Sequence, residues 1–569
     1  MTSDALRLDR RRFLAEIDAD PDFDVLIVGG GVASAATLRE LSVQGLRCLL
    51  VERADFASGA SGALTRVAQG GFRYLEKGEI RLVRRSATER NLFVAAAPHQ
   101  TRPLRVVLPS ETWLGGAATA LLRALGLADG HSLPGALVLR AAVALYDALG
   151  RGARVLPLGG LFTHAELGRR YPGISPRFRG AAYEYEALIA SPERVAIELI
   201  EDAVAEGAGS VALNYAEIQP TAGALVVSDR LSGAAVRVNA GVVVNAAGAN
   251  VDRVAKLFGV ETRLVDGVAG THLLLRAPDV AAALGDDLLF FEDDSSDPRQ
   301  RRLCCVYTIG GVILLGATEI PVADPDASRP TAAEDAYLLA ALRRLFPAAR
   351  FAAQDIVGRL HGVRPLAAAA AAADDLTGRS REHFVHVHAA AEGRTLVSIA
   401  GGKWTTFHAV AADAADAALT ALGRARRAST ERRPIGGGRD FPRDAAARQR
   451  AADNLAERFG VDGVLAERLI ATYGSRAIRV AAHLATPGAR TPIAGGALTV
   501  GEVRFFAREE LAIRAEDVAR RRSRLFVEGA ATREALDAID RALDELRRAP
   551  QTARSAAETP PEDVEHAAV

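Results

Sequence analysis

The chain has 569 residues, enough for two to four domains at roughly 100–200 residues each. Hydrophobic residues make up 49% and charged residues 25%, the balance of an ordinary globular protein rather than a disordered or membrane-filling one. Lysine plus arginine and aspartate plus glutamate both number 70, so net charge gives no footing for nucleic-acid binding or for general attraction to a membrane.

In chain order, Met1 to Asp20 is charged throughout, lacks the apolar core of a secretory signal, and is expected to be an N-terminal arm. Asp24 to Val28 reads as a buried strand, followed at once by Gly29-Gly30-Gly31. A helix is expected from about Val32 to Gln44, ending at Gly45, and a second strand from Arg47 to Val51. Leu137–Leu149 and Ser191–Glu206 read as helices, and Val211–Leu213, Leu225–Val227 and Val242–Val244 as strands. Gly270–Arg276 continues a block of strands suited to a substrate-binding sheet, and Arg302–Thr308 with Val312–Leu315 reads as a hairpin around Gly310-Gly311. Leu396–Ala400 is a further buried strand, closed by Gly401-Gly402. Arg424 to Arg443, rich in Arg, Pro and Gly, is expected to link to a helical domain over 444–548. The polar residues from 549 to 569 are expected to be disordered. No stretch approaches the roughly 20 apolar residues of a membrane span. Cys48, Cys304 and Cys305 have no metal-site spacing and read as buried thiols in a reducing compartment.

The strand, glycines, helix and second strand end in Glu52, 23 residues after Gly29. That arrangement suits a dinucleotide. Gly29 allows a tight turn, Gly31 lets the backbone approach a pyrophosphate, and the free N–H groups of the following helix, at Val32 and Ala33, hold its charge. Glu52 can accept from both ribose hydroxyls, and Arg53 follows it. The third small position is Ser34 rather than glycine. A second strand, Val242 to Asn245, closes in Ala246-Ala247-Gly248 and resembles the second dinucleotide-contacting strand of two-lobed flavoproteins. One such unit near the N-terminus favours FAD over NAD.

Further motifs follow in order: Ala60-Ser61-Gly62, Gly70-Gly71-Phe72-Arg73-Tyr74-Leu75-Glu76, Gly270-Thr271-His272, Gly316-Ala317-Thr318-Glu319, Gly362-Val363-Arg364-Pro365-Leu366, Gly401-Gly402-Lys403-Trp404-Thr405-Thr406 and Thr472-Tyr473-Gly474-Ser475. Over about 22–530 the chain resembles the FAD-dependent glycerol-3-phosphate dehydrogenase family. The resemblance implies an α/β FAD-binding Rossmann-like domain with an inserted mixed-sheet substrate domain, interleaved over 21–430, and a C-terminal all-α domain. It implies FAD contacts at Gly29, Gly31, Val32, Ala33, Glu52, Arg53, Ser61, Gly70, Gly71, Ala247, Gly248, Gly362, Gly402, Lys403 and Thr405. It implies substrate contacts at Arg73, Tyr74, Thr271, Arg364 and Lys403. Arg presents a planar fork matched to phosphate and Lys a point charge. The Gly401-Gly402-Lys403 turn is expected to open a helix whose N–H groups face the flavin.

The implied reaction is oxidation of a three-carbon phosphate ester by hydride transfer to the flavin, with a quinone as electron acceptor. No metal and no nucleic acid enter it. Peripheral contact with the inner face of the cell membrane, through arginine-rich helices such as Arg504–Arg524, and a homodimer are further expectations. Departures from the family pattern fall on the substrate side. Gln69 stands where relatives have His before the Gly-Gly pair, Ala269 where many have Lys, and Glu319 where Asp is usual. An amide cannot take a proton near neutral pH. That leaves His272 as the expected base, with Arg364 and Arg73 as its catalytic partners. Oxidation of another small hydroxy or amino compound, or FAD binding without this turnover, are the open alternatives. A tRNA-modifying flavoprotein is disfavoured by the balanced charge.

Overall fold

The computed structural model describes residues 10–116, 134–150, 155–207, 209–221, 223–292, 302–368 and 382–548. The side chains of 11–13, 73, 76 and 77 and the tail expected to be disordered lie outside the described residues.

Val25–Val28 is buried at every position and sits inside a six-stranded sheet. The strand order is His383–Ala389, Thr395–Gly401, Val242–Asn245, Val25–Val28, Cys48–Val51 and Val211–Leu213. All neighbours pair in parallel except the first two. Alternation explains the unbroken apolar run. Val25 and Ile27 face the helices Val32–Ser42, Pro192–Glu206 and Phe407–Ala421, whereas Leu26 and Val28 face a second core on the other side. That second core is closed by a three-stranded sheet, Ala216–Thr221, Ala224–Asp229 and Ala235–Val238.

The expected N-terminal arm contains a docked helix, Arg10–Ala19. Leu14 and Ile17, three positions apart, are buried in the second core, and Arg10 pairs with Asp229 at 2.6 Å. Two apolar residues on one helical face suffice to dock so short a helix, and the surrounding charges hide that stripe. The strand block also divides differently from expectation. Val211–Leu213 joins the nucleotide sheet and Ala224–Asp229 the small sheet, so these two lie outside the ten-stranded sheet, whereas Val242–Asn245 lies beside Val25–Val28, where its reading as a second nucleotide-side strand puts it. Parallel partners far apart in sequence leave no local mark.

The substrate sheet has ten strands, with Val265–Leu275, Val312–Gly316 and Leu303–Ile309 side by side. The last two form the expected hairpin. Ile356–Ala367 pairs antiparallel with Val265–Leu275 along eleven positions. Register places His272, Gly316 and Cys305 in one row across the sheet. Cys48, Cys304 and Cys305 are all buried thiols outside any disulfide among the described residues, as expected.

The C-terminal helices, among them Ala445–Phe459, Gly463–Tyr473, Val500–Glu509 and Arg533–Arg548, enclose a core of their own. They dock on the rest of the chain through buried arginine–carboxylate pairs. Arg521 and Arg522 both bind Asp55, Arg194 pairs with Glu510 at 2.8 Å, and Arg476 pairs with Asp202 at 2.6 Å. Burial alone would raise the Asp55 carboxyl; the two guanidiniums outweigh it and hold it below its usual range. Within the stretch Arg504–Arg524, expected to face lipid, Arg521 and Arg522 are turned inward to Asp55. Among the described residues, no helix is long and apolar enough to cross a membrane.

Candidate active site

The nucleotide cradle is built from backbone. Gly29 has φ +115, and a Cβ there would stand 2.6 Å from the Ala246 carbonyl oxygen. Only glycine brings the first turn this close to the second strand. The helix Val32–Ser42 starts at Gly31 without a side-chain cap. Its first N–H, from Val32, donates to Ser61 Oγ at 3.0 Å, and Ala33 packs on the core beneath. Glu52 accepts from the Gly30 N–H at 2.6 Å and the Ala54 N–H at 2.7 Å. Burial raises its carboxyl against those two bonds. With about four lone-pair directions, a carboxylate held this way can still accept from a ribose diol. Ala247 follows the second strand, and at Gly248 an added Cβ would meet nothing within 4 Å. Helix-start N–H donors, a fixed carboxylate acceptor and an open glycine turn are the groups that a dinucleotide requires.

Two expected FAD contacts are placed otherwise. The Arg53 guanidinium turns to Asp326, at 2.7 Å through Nη1, where Arg253 and Asn250 also bind. Consecutive residues at a strand end point opposite ways, so Glu52 and Arg53 do not share a target. Gly70 lies against a buried network: its N–H donates to Glu186, and a Cβ would meet the Tyr146 hydroxyl at 2.0 Å. Its neighbour Gly71 has φ +88, which lets Tyr74 and Ser86 close in, a Cβ there meeting Tyr74 at 3.0 Å.

That closure creates a cationic corner. Lys403 Nζ sits 3.8 Å above the Tyr74 ring and donates to Ser86 Oγ at 3.1 Å. Lys403 belongs to the glycine turn between Thr395–Gly401 and Phe407–Ala421, which does open a helix through the 3₁₀ turn Trp404–Thr406. The Gly402 N–H donates to the Glu382 carbonyl at 3.3 Å. Neither threonine hydroxyl caps the helix. Thr405 Oγ1 accepts from the Gln69 N–H at 3.2 Å, which ties the two motif segments together, and Thr406 donates to the Lys403 carbonyl. Gly362 packs on the segment around Ala60 and Ala63, so the sheet and the nucleotide loop meet there. Arg364 lies over Gly270, whose missing side chain makes room for it, and donates to Glu319 Oε1 at 3.2 Å. The side chain of Arg73 lies outside the described residues.

The comparisons with known proteins agree with this construction. Residues 24–408 match the family described as FAD dependent oxidoreductase, and residues 428–551 match the C-terminal domain of alpha-glycerophosphate oxidase. Glycerol-3-phosphate dehydrogenase 2 of Mycobacterium tuberculosis is 30% identical over 526 residues, 89% of this chain and 81% of the relative. The chain belongs to the FAD-dependent glycerol-3-phosphate dehydrogenase family. The Synechocystis glycerol-3-phosphate dehydrogenase is 28% identical over 480 residues, 80% of each chain. The fold matches that of glycerol-3-phosphate dehydrogenase from Bacillus halodurans, solved with FAD, at a TM-score of 0.67 and 22% identity, covering 95% of this chain and 97% of that one. FAD is the cofactor of the family, and the cradle residues fit it.

Within this family frame, His272 and Thr271 are not brought to the cationic corner. His272 is 1% exposed, and its Nε2 lies 3.0 Å from Thr65 Oγ1 beneath the loop that carries Ser61. Burial, aided by the nearby Arg364 guanidinium, pushes it down to about 3. The expected base is therefore a neutral, enclosed imidazole that holds the loop to the sheet. Thr271 points to the opposite face, where its hydroxyl donates to Glu334 at 2.8 Å and lies 2.9 Å from His361. Residues outside the expected cofactor and substrate sets also build the site. Thr65 pins the loop through both His272 and Tyr307, whose hydroxyl donates to its carbonyl at 3.1 Å. Ser86 receives Lys403, and Arg90, Tyr146 and Glu186 form the network under Gly70. Arg90 and Ser86 lie one helical turn apart on Ile80–Ala96, but that spacing does not distinguish them from any other amphipathic helix.

Proposed function

We propose that the chain oxidises sn-glycerol 3-phosphate to dihydroxyacetone phosphate and passes the electrons to a quinone. The family supports the reaction class, and one observation carries the substrate: Lys403, Tyr74 and Ser86 converge on one corner beside the glycine turn. A cation, a phenol and a hydroxyl suit the dianionic phosphate of a small ester. Arg364, held over Gly270, orients the polyol end. Bound FAD supplies the hydride acceptor. Gly29, Gly31, Val32, Ser61, Glu52 and Gly248 are the residues that would hold it. The protein's contribution is to fix the carbon to be oxidised and to exclude water.

Steady-state assay of the FAD-loaded protein tests this, with an artificial electron acceptor and detection of dihydroxyacetone phosphate. Glycerol 3-phosphate is expected to turn over, and glycerol, which lacks the phosphate, is not. Equal rates with both would remove the role assigned to Lys403. Reoxidation of the reduced protein by a short-chain soluble quinone, faster than by oxygen, tests the acceptor.

A further inference from the structure

Oxidation of a secondary alcohol needs a group to take the hydroxyl proton. Gln69 is an amide and cannot. His272 is enclosed, with Nε2 at Thr65 and its proton affinity depressed by burial and by Arg364. The hairpin strand Val312–Gly316 leads into Thr318 and Glu319. These two side chains part company. Thr318 donates to Glu334 at 2.6 Å on the far side of the sheet, whereas Glu319 reaches Arg364. Arg302 donates to the Glu319 carbonyl and so anchors the residue by its backbone. The Glu319 side chain is 14% exposed and that of Arg364 25%. Glu319 is thus a carboxylate in direct contact with the arginine assigned to the polyol end.

We propose that Glu319 is the catalytic base of this chain, a role that rests on the glycerol 3-phosphate reading above. In the step it performs, the O–H bond of the C2 hydroxyl breaks and its proton goes to the Glu319 carboxylate. The C2–H bond breaks with its electron pair passing as hydride to the flavin, and the carbon–oxygen double bond forms. The substrate loses two electrons and the flavin gains two. The Arg364 guanidinium beside Glu319 steadies the carbonyl oxygen as it forms.

The test compares wild type, Glu319→Gln and Glu319→Asp as FAD-loaded proteins. Two quantities are measured: the anaerobic rate of flavin reduction by glycerol 3-phosphate, and the calorimetric affinity for dihydroxyacetone phosphate, which needs no turnover. Glu319→Gln is expected to slow reduction by about 100-fold or more, within the range for loss of a general base. Its product affinity should stay within about threefold of wild type, because the phosphate corner is intact, and Glu319→Asp should recover much of the rate. A Glu319→Gln protein that reduces at the wild-type rate overturns the proposal alone. So does one that loses product affinity in step with rate without rescue by Asp, which would make Glu319 a counter-ion. A wild type that binds FAD but is not reduced overturns the substrate reading, and the proposal with it.

Discussion

The two halves of the site are built from different materials. The nucleotide side is made of backbone: a glycine at φ +115, an uncapped helix start and a carboxylate held by two N–H groups. The substrate side is made of charged and polar side chains, each fixed by a partner from a distant segment: Lys403 on Tyr74, Arg364 on Glu319, Thr405 on the Gln69 N–H. Backbone constructions demand particular residues at particular spacings. Side-chain constructions can exchange one acid or donor for another.

The contrast can be broken in several places. The largest effect is expected where side-chain charge supports the backbone cradle. Asp55→Ala leaves Arg521 and Arg522 buried without their shared partner, three residues after Glu52. Loss of one member of a buried pair costs about 3–5 kcal/mol, so thermal unfolding should move sharply down and FAD retention with it. Unchanged melting would mean that the C-terminal helices do not brace the cradle.

A pH-dependent effect follows on the substrate side. Glu89, buried on the helix that carries Ser86, is raised to about 7 by burial, with Arg85 opposing and Glu431 and Asp413 adding to it. The unfolded chain releases this proton near 4.5. Below pH 4.5 the group is protonated in both states and is neutral toward folding. Between 4.5 and 7 the folded state alone keeps the proton, so stability falls as pH rises, and it stays lower above 7. Glu89→Gln removes the titration. Denaturant melts should show it more stable than wild type by about 3 kcal/mol at pH 8, with little difference at pH 4.

Two smaller effects separate the materials directly. Gly29→Ala places a methyl 2.6 Å from the Ala246 carbonyl in a left-handed backbone. Equilibrium FAD binding should weaken by about 2–3 kcal/mol, roughly 100-fold, with substrate affinity of the FAD-loaded fraction unchanged. Lys403→Met should do the reverse. Phosphate-ester affinity should fall by about 2 kcal/mol, roughly 30-fold, while FAD stays bound. If either variant lost both affinities together, the two sides would not be independent.

Legibility followed the same division. The strand Val25–Val28, its glycines, the helix Val32–Ser42 and Glu52 all lie where periodicity and spacing put them, because local backbone chemistry dictates them. The hairpin around Gly310-Gly311 and the helix after Lys403 were legible for the same reason. Arg364 and Lys403 could be named from their motifs, but Glu319 as Arg364's partner, Ser86 under Lys403 and Thr65 under His272 could not. Each joins segments 45 to 317 residues apart. At His272 the sequence shows a residue type that titrates in the useful range but not its burial. Thr271 was misjudged because a neighbour in a strand faces the other way. The N-terminal helix was hidden by its charges, and the inward turn of Arg521 and Arg522 by the basic run around them.

The most direct measurement is anaerobic titration of the FAD-loaded protein with glycerol 3-phosphate near neutral pH, following the flavin absorbance. Bleaching of the flavin band, with one dihydroxyacetone phosphate formed per flavin reduced, is the predicted result. It would show that the substrate side works with an amide at Gln69. A protein that holds FAD but keeps its oxidised spectrum at saturating glycerol 3-phosphate would contradict the account, and would turn the search to other small alcohols or amines.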